Sequence, residues 1–127
     1  MRMDYNKMCF AAKKYLDERW NPKERDLVAH ASFPDSTEMI GIDYYLHVVE
    51  DGKERFIFIP TQRQLYDLLK EHMKKENDCD VFGDLMDFID LHNYEWMSRD
   101  MECLLLEFLF YIKYCRTWDG NEWKLKC

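Results

Sequence analysis

SRDMECLLLEFLFYIKYCR, residues 98–116, sets Met101, Leu104, Leu105, Phe108, Ile112 and Cys115 at three- and four-residue steps, the spacing of a core-facing helical stripe. Ser98 suits the N-cap. Asp100 and Glu102 put negative charge near the first turn, and Lys113 and Arg116 put positive charge in the last. Leu106, Leu109, Phe110 and Tyr111 widen the apolar surface nearly all round, so the stretch predicts a central helix packed on more than one side.

The preceding segments read as cover for that helix. Residues 81–92 predict a helix with Phe82, Leu85, Met86 and Ile89 inward and Asp80, Asp84, Asp87 and Asp90 outward. Before it, Thr61 and Gln64 have the T-x-x-Q spacing of a capping box, and Leu65, Leu68, Leu69 and His72 or Met73 give a buried stripe. Residues 39–49 and 54–59 are rich in Ile, Val, Tyr and Phe and flank Asp51 and Gly52, which predicts a β-hairpin over 39–59 with apolar or aromatic side chains on both faces. Residues 4–19 predict a first helix with Tyr5, Met8, Cys9, Ala12, Tyr15 and Leu16 inward, ended by Trp20, Asn21 and Pro22. Residues 27–33 read as a short strand or a short helix, and Phe33, Pro34, Asp35 and Ser36 as a loop. Asp119 and Gly120 form a turn that brings Trp123 back towards Trp118. The expectation is a single α+β domain over 1–127, with a small antiparallel sheet packed against an N-terminal helix and three C-terminal helices.

Composition narrows the function classes. With 47% hydrophobic and 16% aromatic residues, three prolines and four glycines, the chain is neither disordered nor fibrous. Residues 1–16 mix Asp4, Lys7, Lys13 and Lys14 among apolar residues, and no later stretch is apolar for the roughly twenty residues a membrane span needs, so neither a signal peptide nor a membrane span is expected. Five cysteines at irregular spacings read as reduced thiols of a cytosol. A net charge of −7 without a basic patch argues against direct nucleic-acid binding.

No catalytic or cofactor signature is complete. Asp78, Asp80 and Gly83 fall at positions one, three and six of a calcium-binding loop, but Phe82 and Ile89 occupy positions five and twelve, where side-chain oxygens are required. The histidines and cysteines form no C-x-x-C, H-x-x-x-H or H-E-x-x-H, no serine lies in a nucleophile elbow, and no glycine-rich loop cradles phosphate. No metal, cofactor or catalytic residue is therefore assigned. The uneven charge is the one feature with direction: residues 76–102 carry nine acids against Arg99 alone. Such a face is either plain solvated surface or complementary to a basic partner. The candidate partner-binding residues are Asp78, Asp80, Asp84, Asp87, Asp90 and Glu95, with Tyr94 and Trp96 as aromatic anchors.

Two stretches carry a resemblance. Ile59, Pro60, Thr61, Gln62, Gln64 and Leu65 resemble a strand-to-helix junction, and Trp118, Asp119, Gly120, Asn121, Glu122 and Trp123 resemble a chain-closing W-[ND]-G-x-x-W, both of small uncharacterised proteins encoded by phages and prophages of gut bacteria. That resemblance implies a mobile-element setting, where short acidic proteins often disable host or competing machinery, as anti-CRISPR proteins do. The leading expectation is a non-enzymatic inhibitor that binds a basic surface of a host nucleic-acid-handling protein. Two alternatives stand beside it. One is a small metal-dependent or Cys/His enzyme using His47, His72 or a cysteine, and the other is a structural or regulatory phage homo-oligomer joined through the aromatic hairpin face.

Overall fold

The computed structural model describes residues 3–23, 25–30, 33–39, 56–91 and 100–125. They are α+β, in two compact units that divide at Pro60 and Thr61. No helix among them is long and apolar enough to cross a membrane.

In the first unit the 4–19 pattern forms two helices, α1 (Met3–Ala11) and α2 (Lys13–Arg19), rather than one. Ala12 between them has φ −99° and ψ 9°, off the helical values, yet its amide still reaches the Met8 and Cys9 carbonyls at 3.0 and 3.1 Å. The break is thus a local kink that leaves the inward face intact. Tyr5, Met8, Cys9, Ala12, Tyr15 and Leu16 are all buried, as their spacing requires. Trp20 is extended and ends α2. Its indole donates to Asp26 Oδ2 at 2.9 Å, the Lys23 amide donates to the same oxygen at 2.9 Å, and its ring stacks on Phe58 at 5.1 Å. The buried Asp26 carboxylate therefore satisfies two donors and fixes the turn before the sheet.

The sheet resolves residues 27–30 of the ambiguous 27–33 segment as a strand. β1 (Leu27–His30) lies between β2 (Phe33–Met39) and β3 (Phe56–Phe58), antiparallel to both. Val28 faces Glu38 on one side and Phe58 on the other, and both Val28 and Ala29 are buried, which marks a central strand. The Phe33 to Ser36 loop expectation is corrected, because these residues open β2. Pro34 is tolerated there since β2 is at the edge of the described strands, where a missing N–H costs no interior hydrogen bond. Most of the 39–59 hairpin, with its Asp51 and Gly52 turn, lies outside the described residues. Its described ends, Met39 and Phe56–Phe58, both pair with β1. Tyr5 ties α1 to the strand end by donating to the Pro60 carbonyl at 2.5 Å, and Asn6 Nδ2 donates to Thr37 Oγ1 at 2.9 Å.

The second unit is helical. α3 (Gln62–Met73) opens on the expected capping box: Gln64 N–H donates to Thr61 Oγ1 at 3.2 Å and Thr61 N–H to Gln64 Oε1 at 2.8 Å. Leu65, Tyr66 and Leu69 are its buried residues, Met73 is half-buried and His72 is exposed, so His72 does not join the stripe. α3 ends on Lys74 in the left-handed region, and residues 74–77 lead into α4 (Asp78–Leu91), whose Asp80 amide donates to Asn77 Oδ1 at 3.0 Å. α5 (Met101–Tyr114) packs against both α3 and α4, and residues 103–110 are buried without a gap, as a central helix demands. Its limits differ from the expected 98–116. Asp100 holds the N-cap position and Ser98 lies outside the described residues. Cys115, expected on the core stripe, is instead the left-handed C-cap at φ 54°, which ends the helical ladder and sends Arg116 into a strand.

The tail folds back as expected. β4 (Arg116–Trp118) pairs antiparallel with β5 (Trp123–Leu125), and Trp118 stands opposite Trp123. Gly120 takes φ 103°, which a residue with a side chain would resist. Asp119 Oδ1 accepts the Asn121 and Glu122 amides, each at 2.8 Å. Those two amides, Glu122 first, and then Lys124 hold the Asp119 carboxyl down to about 2 from an ordinary 3.8. A carboxyl with a lowered folded value stabilises fully above its unfolded value and loses that contribution as pH falls through the folded one. Tryptophan fluorescence of the intact chain should therefore show a tail transition between about pH 4 and about pH 2. Asp119→Asn, which keeps an acceptor but cannot titrate, should lack that component, and superimposable acid profiles would contradict the assignment.

Candidate functional site

The acidic segment builds the outer face of α4. At 3.6 residues per turn, Asp80, Asp84, Asp87 and Leu91 fall within an arc of about 60°, and Asp90 lies beside it. Val81, Leu85, Phe88 and Ile89 are buried on the other side. Asp80, Asp87 and Asp90 are exposed and Asp84 is half-buried, so all four point outward as their spacing predicts. The inward set needs correction. Phe82 is exposed and Met86 half-buried, whereas Phe88 is buried against Phe108 and Tyr111 at 5.3 and 5.1 Å. α4 offers two overlapping apolar phases, and packing on α5 selects the one that contains Phe88. Phe82 and Leu91 are left exposed, and of the two only Leu91 falls within the aspartate arc.

Asp78 behaves differently from the other four. Arg63 grips it with two bonds of 2.6 and 2.7 Å, and Lys70 adds a third contact at 3.1 Å. Arg63 and Lys70 also reach Asp67, at 3.0 and 3.4 Å. These cations, Arg63 foremost, hold the Asp78 carboxyl well below the ordinary carboxylate range, and Asp78 in turn raises the Arg63 guanidinium. The charge of Asp78 is thus spent on joining α3 to the start of α4. None of the ion pairs among the described residues involves Asp80, Asp84, Asp87 or Asp90. Tyr94, Glu95 and Trp96 lie outside the described residues. A calcium loop does not form, because residues 78–91 are helical.

Sequence reasoning passed over Glu107, which is fully buried in the middle of α5. A signal for it exists, since the acid is embedded between 104-LLL-106 and 108-FLF-110 on a helix with no polar face to turn towards. His47 lies outside the described residues and His72 is exposed. Among the described residues no three His, Cys, Asp or Glu side chains are grouped as metal ligands. Cys9 and Cys103 are buried and Cys79 exposed, none of the three in a disulfide, while Cys115 is disulfide-bonded, so the expectation of five reduced cysteines is corrected. Comparison with known protein families, curated proteins and solved structures finds no match for this chain.

Proposed function

We propose that the chain is a non-enzymatic interaction protein, encoded by a phage or other mobile element, that binds a basic surface of a host nucleic-acid-handling protein through the outer face of α4. The observation that carries this reading is four outward aspartates, Asp80, Asp84, Asp87 and Asp90, with no ion pair among the described residues, on one side of a helix anchored by the Arg63 to Asp78 pair. Unneutralised carboxylates in a row attract a cationic surface over about 10 Å at 0.1 M salt, and the exposed Leu91 within the same arc supplies apolar contact area once the surfaces meet. A groove that normally holds a nucleic-acid backbone offers such a cationic surface, which makes an anti-defence inhibitor of the anti-CRISPR kind the specific form of the proposal.

Capture of a host protein on the immobilised chain tests it. Raising salt from about 0.1 M to about 1 M shortens the screening length from roughly 10 Å to roughly 3 Å and should release the captured protein progressively. Capture that is unchanged over that range would contradict an acidic recognition face.

A further inference from the structure

The first turn and a half of α4 is held differently from the rest of that helix. Leu85, Phe88 and Ile89 are buried, whereas Val81 is the only buried residue among residues 78–84. What else keeps the segment in place is polar. The Asn77 side chain caps the Asp80 amide at 3.0 Å, and Arg63 and Lys70 of α3 hold Asp78 at 2.6 and 3.1 Å. Asp67, one turn after Arg63 and one before Lys70, meets the two cations at 3.0 and 3.4 Å. Two cations and two carboxylates thus form a clasp with no net charge between α3 and the start of α4. The Arg63 and Asp78 side chains are 53% and 43% exposed, so water and salt reach the bonds that close it.

The helix is weak where the clasp stops. Gly83 is exposed, and a Cβ built there meets nothing within 4 Å. Packing therefore does not demand glycine, and alanine would fit; glycine instead gives a helix interior its least favourable residue short of proline. A thinly buried segment, an exposed ionic clasp and a glycine without a steric reason follow one another along the chain. We propose that residues 78–82 are a strap that opens as a unit about Gly83 and is held shut by Arg63 and Lys70. Opening leaves Leu85, Phe88 and Ile89 packed, so Asp84, Asp87 and Asp90 stay in position while Asp80 is carried out of their row. On the reading of that row as the partner-binding surface, on which this consequence rests, the strap regulates its length: four aspartates when closed, three when open.

Amide hydrogen exchange of the intact chain, followed residue by residue by NMR, tests the strap without any partner, so its failure and the failure of the binding reading are separate results. The amides of Phe82, Gly83 and Asp84 close the first helical bonds of α4, onto the carbonyls of residues 78–80, and report opening. Those of Phe88 and Ile89 report the body of the helix. Arg63→Gln should speed exchange at 82–84 about fivefold, the upper end for an exposed pair, as suits a two-bonded contact within a cluster, and leave 88 and 89 unchanged. Gly83→Ala should slow exchange at 82–84 about fivefold. Rates at 82–84 that ignore either substitution would overturn the proposal. So would an acceleration in Arg63→Gln shared equally by 88 and 89, which would make the ion pair a support of the whole fold instead of a strap.

Discussion

Trp123→Ala is expected to destabilise the protein by about 3 kcal/mol, the lower end of the range for removing a buried tryptophan. Trp123 is buried although it lies near the end of the described chain, because it stacks on Phe110 of the central helix and meets Trp118 across the ribbon. Truncation leaves the Phe110 face uncovered and takes from the ribbon its main apolar contact, so the turn at Asp119 would have to hold β4 and β5 together unaided. At this chain length the loss corresponds to roughly 10 °C in melting temperature. Deleting residues 118–127 should cost at least as much. A melting curve unchanged by either alteration would move these residues from a structural role to a partner-binding one.

Leu105→Ala should cost more, about 3–5 kcal/mol, and Ile112→Ala on the same helix clearly less. Leu105 is fully buried on α5, where helices α3 and α4 pack, and a truncated side chain leaves a cavity that rigid neighbours cannot fill. Ile112, placed on the same stripe by its spacing, is only half-buried, so solvent replaces part of what is lost. Denaturant unfolding of the two variants separates them. Equal losses would show that α5 is not the core element its burial over residues 103–110 makes it.

Much of this architecture is legible in the residues, for identifiable reasons. The inward sets of α1 and α2 and the outward aspartates of α4 follow from helical spacing, which needs no knowledge of neighbours. The Thr61 and Gln64 box and the Asp119 turn are local chemistry closed within four residues. What sequence reasoning missed depends on partners distant in the chain. Whether Phe82 or Phe88 turns inward is decided by what α5 presents, and periodicity on α4 alone allows both. Pro34 and Ser36 have the composition of a loop, but an edge strand beside Leu27–His30 accommodates them. Asp26 reads as a surface acid until the Trp20 indole is brought to it. Cys115 looks like a core thiol by spacing because nothing local announces the left-handed turn that ends α5 there.

The central claim is that the acidic face of α4, rather than overall negative charge, recognises the partner. The direct measurement is partner capture at fixed salt by two variants of identical net charge. One carries Asp84→Lys, Asp87→Lys and Asp90→Lys; the other carries Glu18→Lys, Glu71→Lys and Glu122→Lys, at exposed acids elsewhere on the chain. Both should stay folded with melting temperatures close to the parent's, since exposed charges contribute little to stability. The account predicts that the α4 variant loses capture by tenfold or more, on the order of 1.4 kcal/mol of binding, while the control variant retains it. Equal capture by the two variants would contradict it and leave the aspartates as ordinary solvated surface.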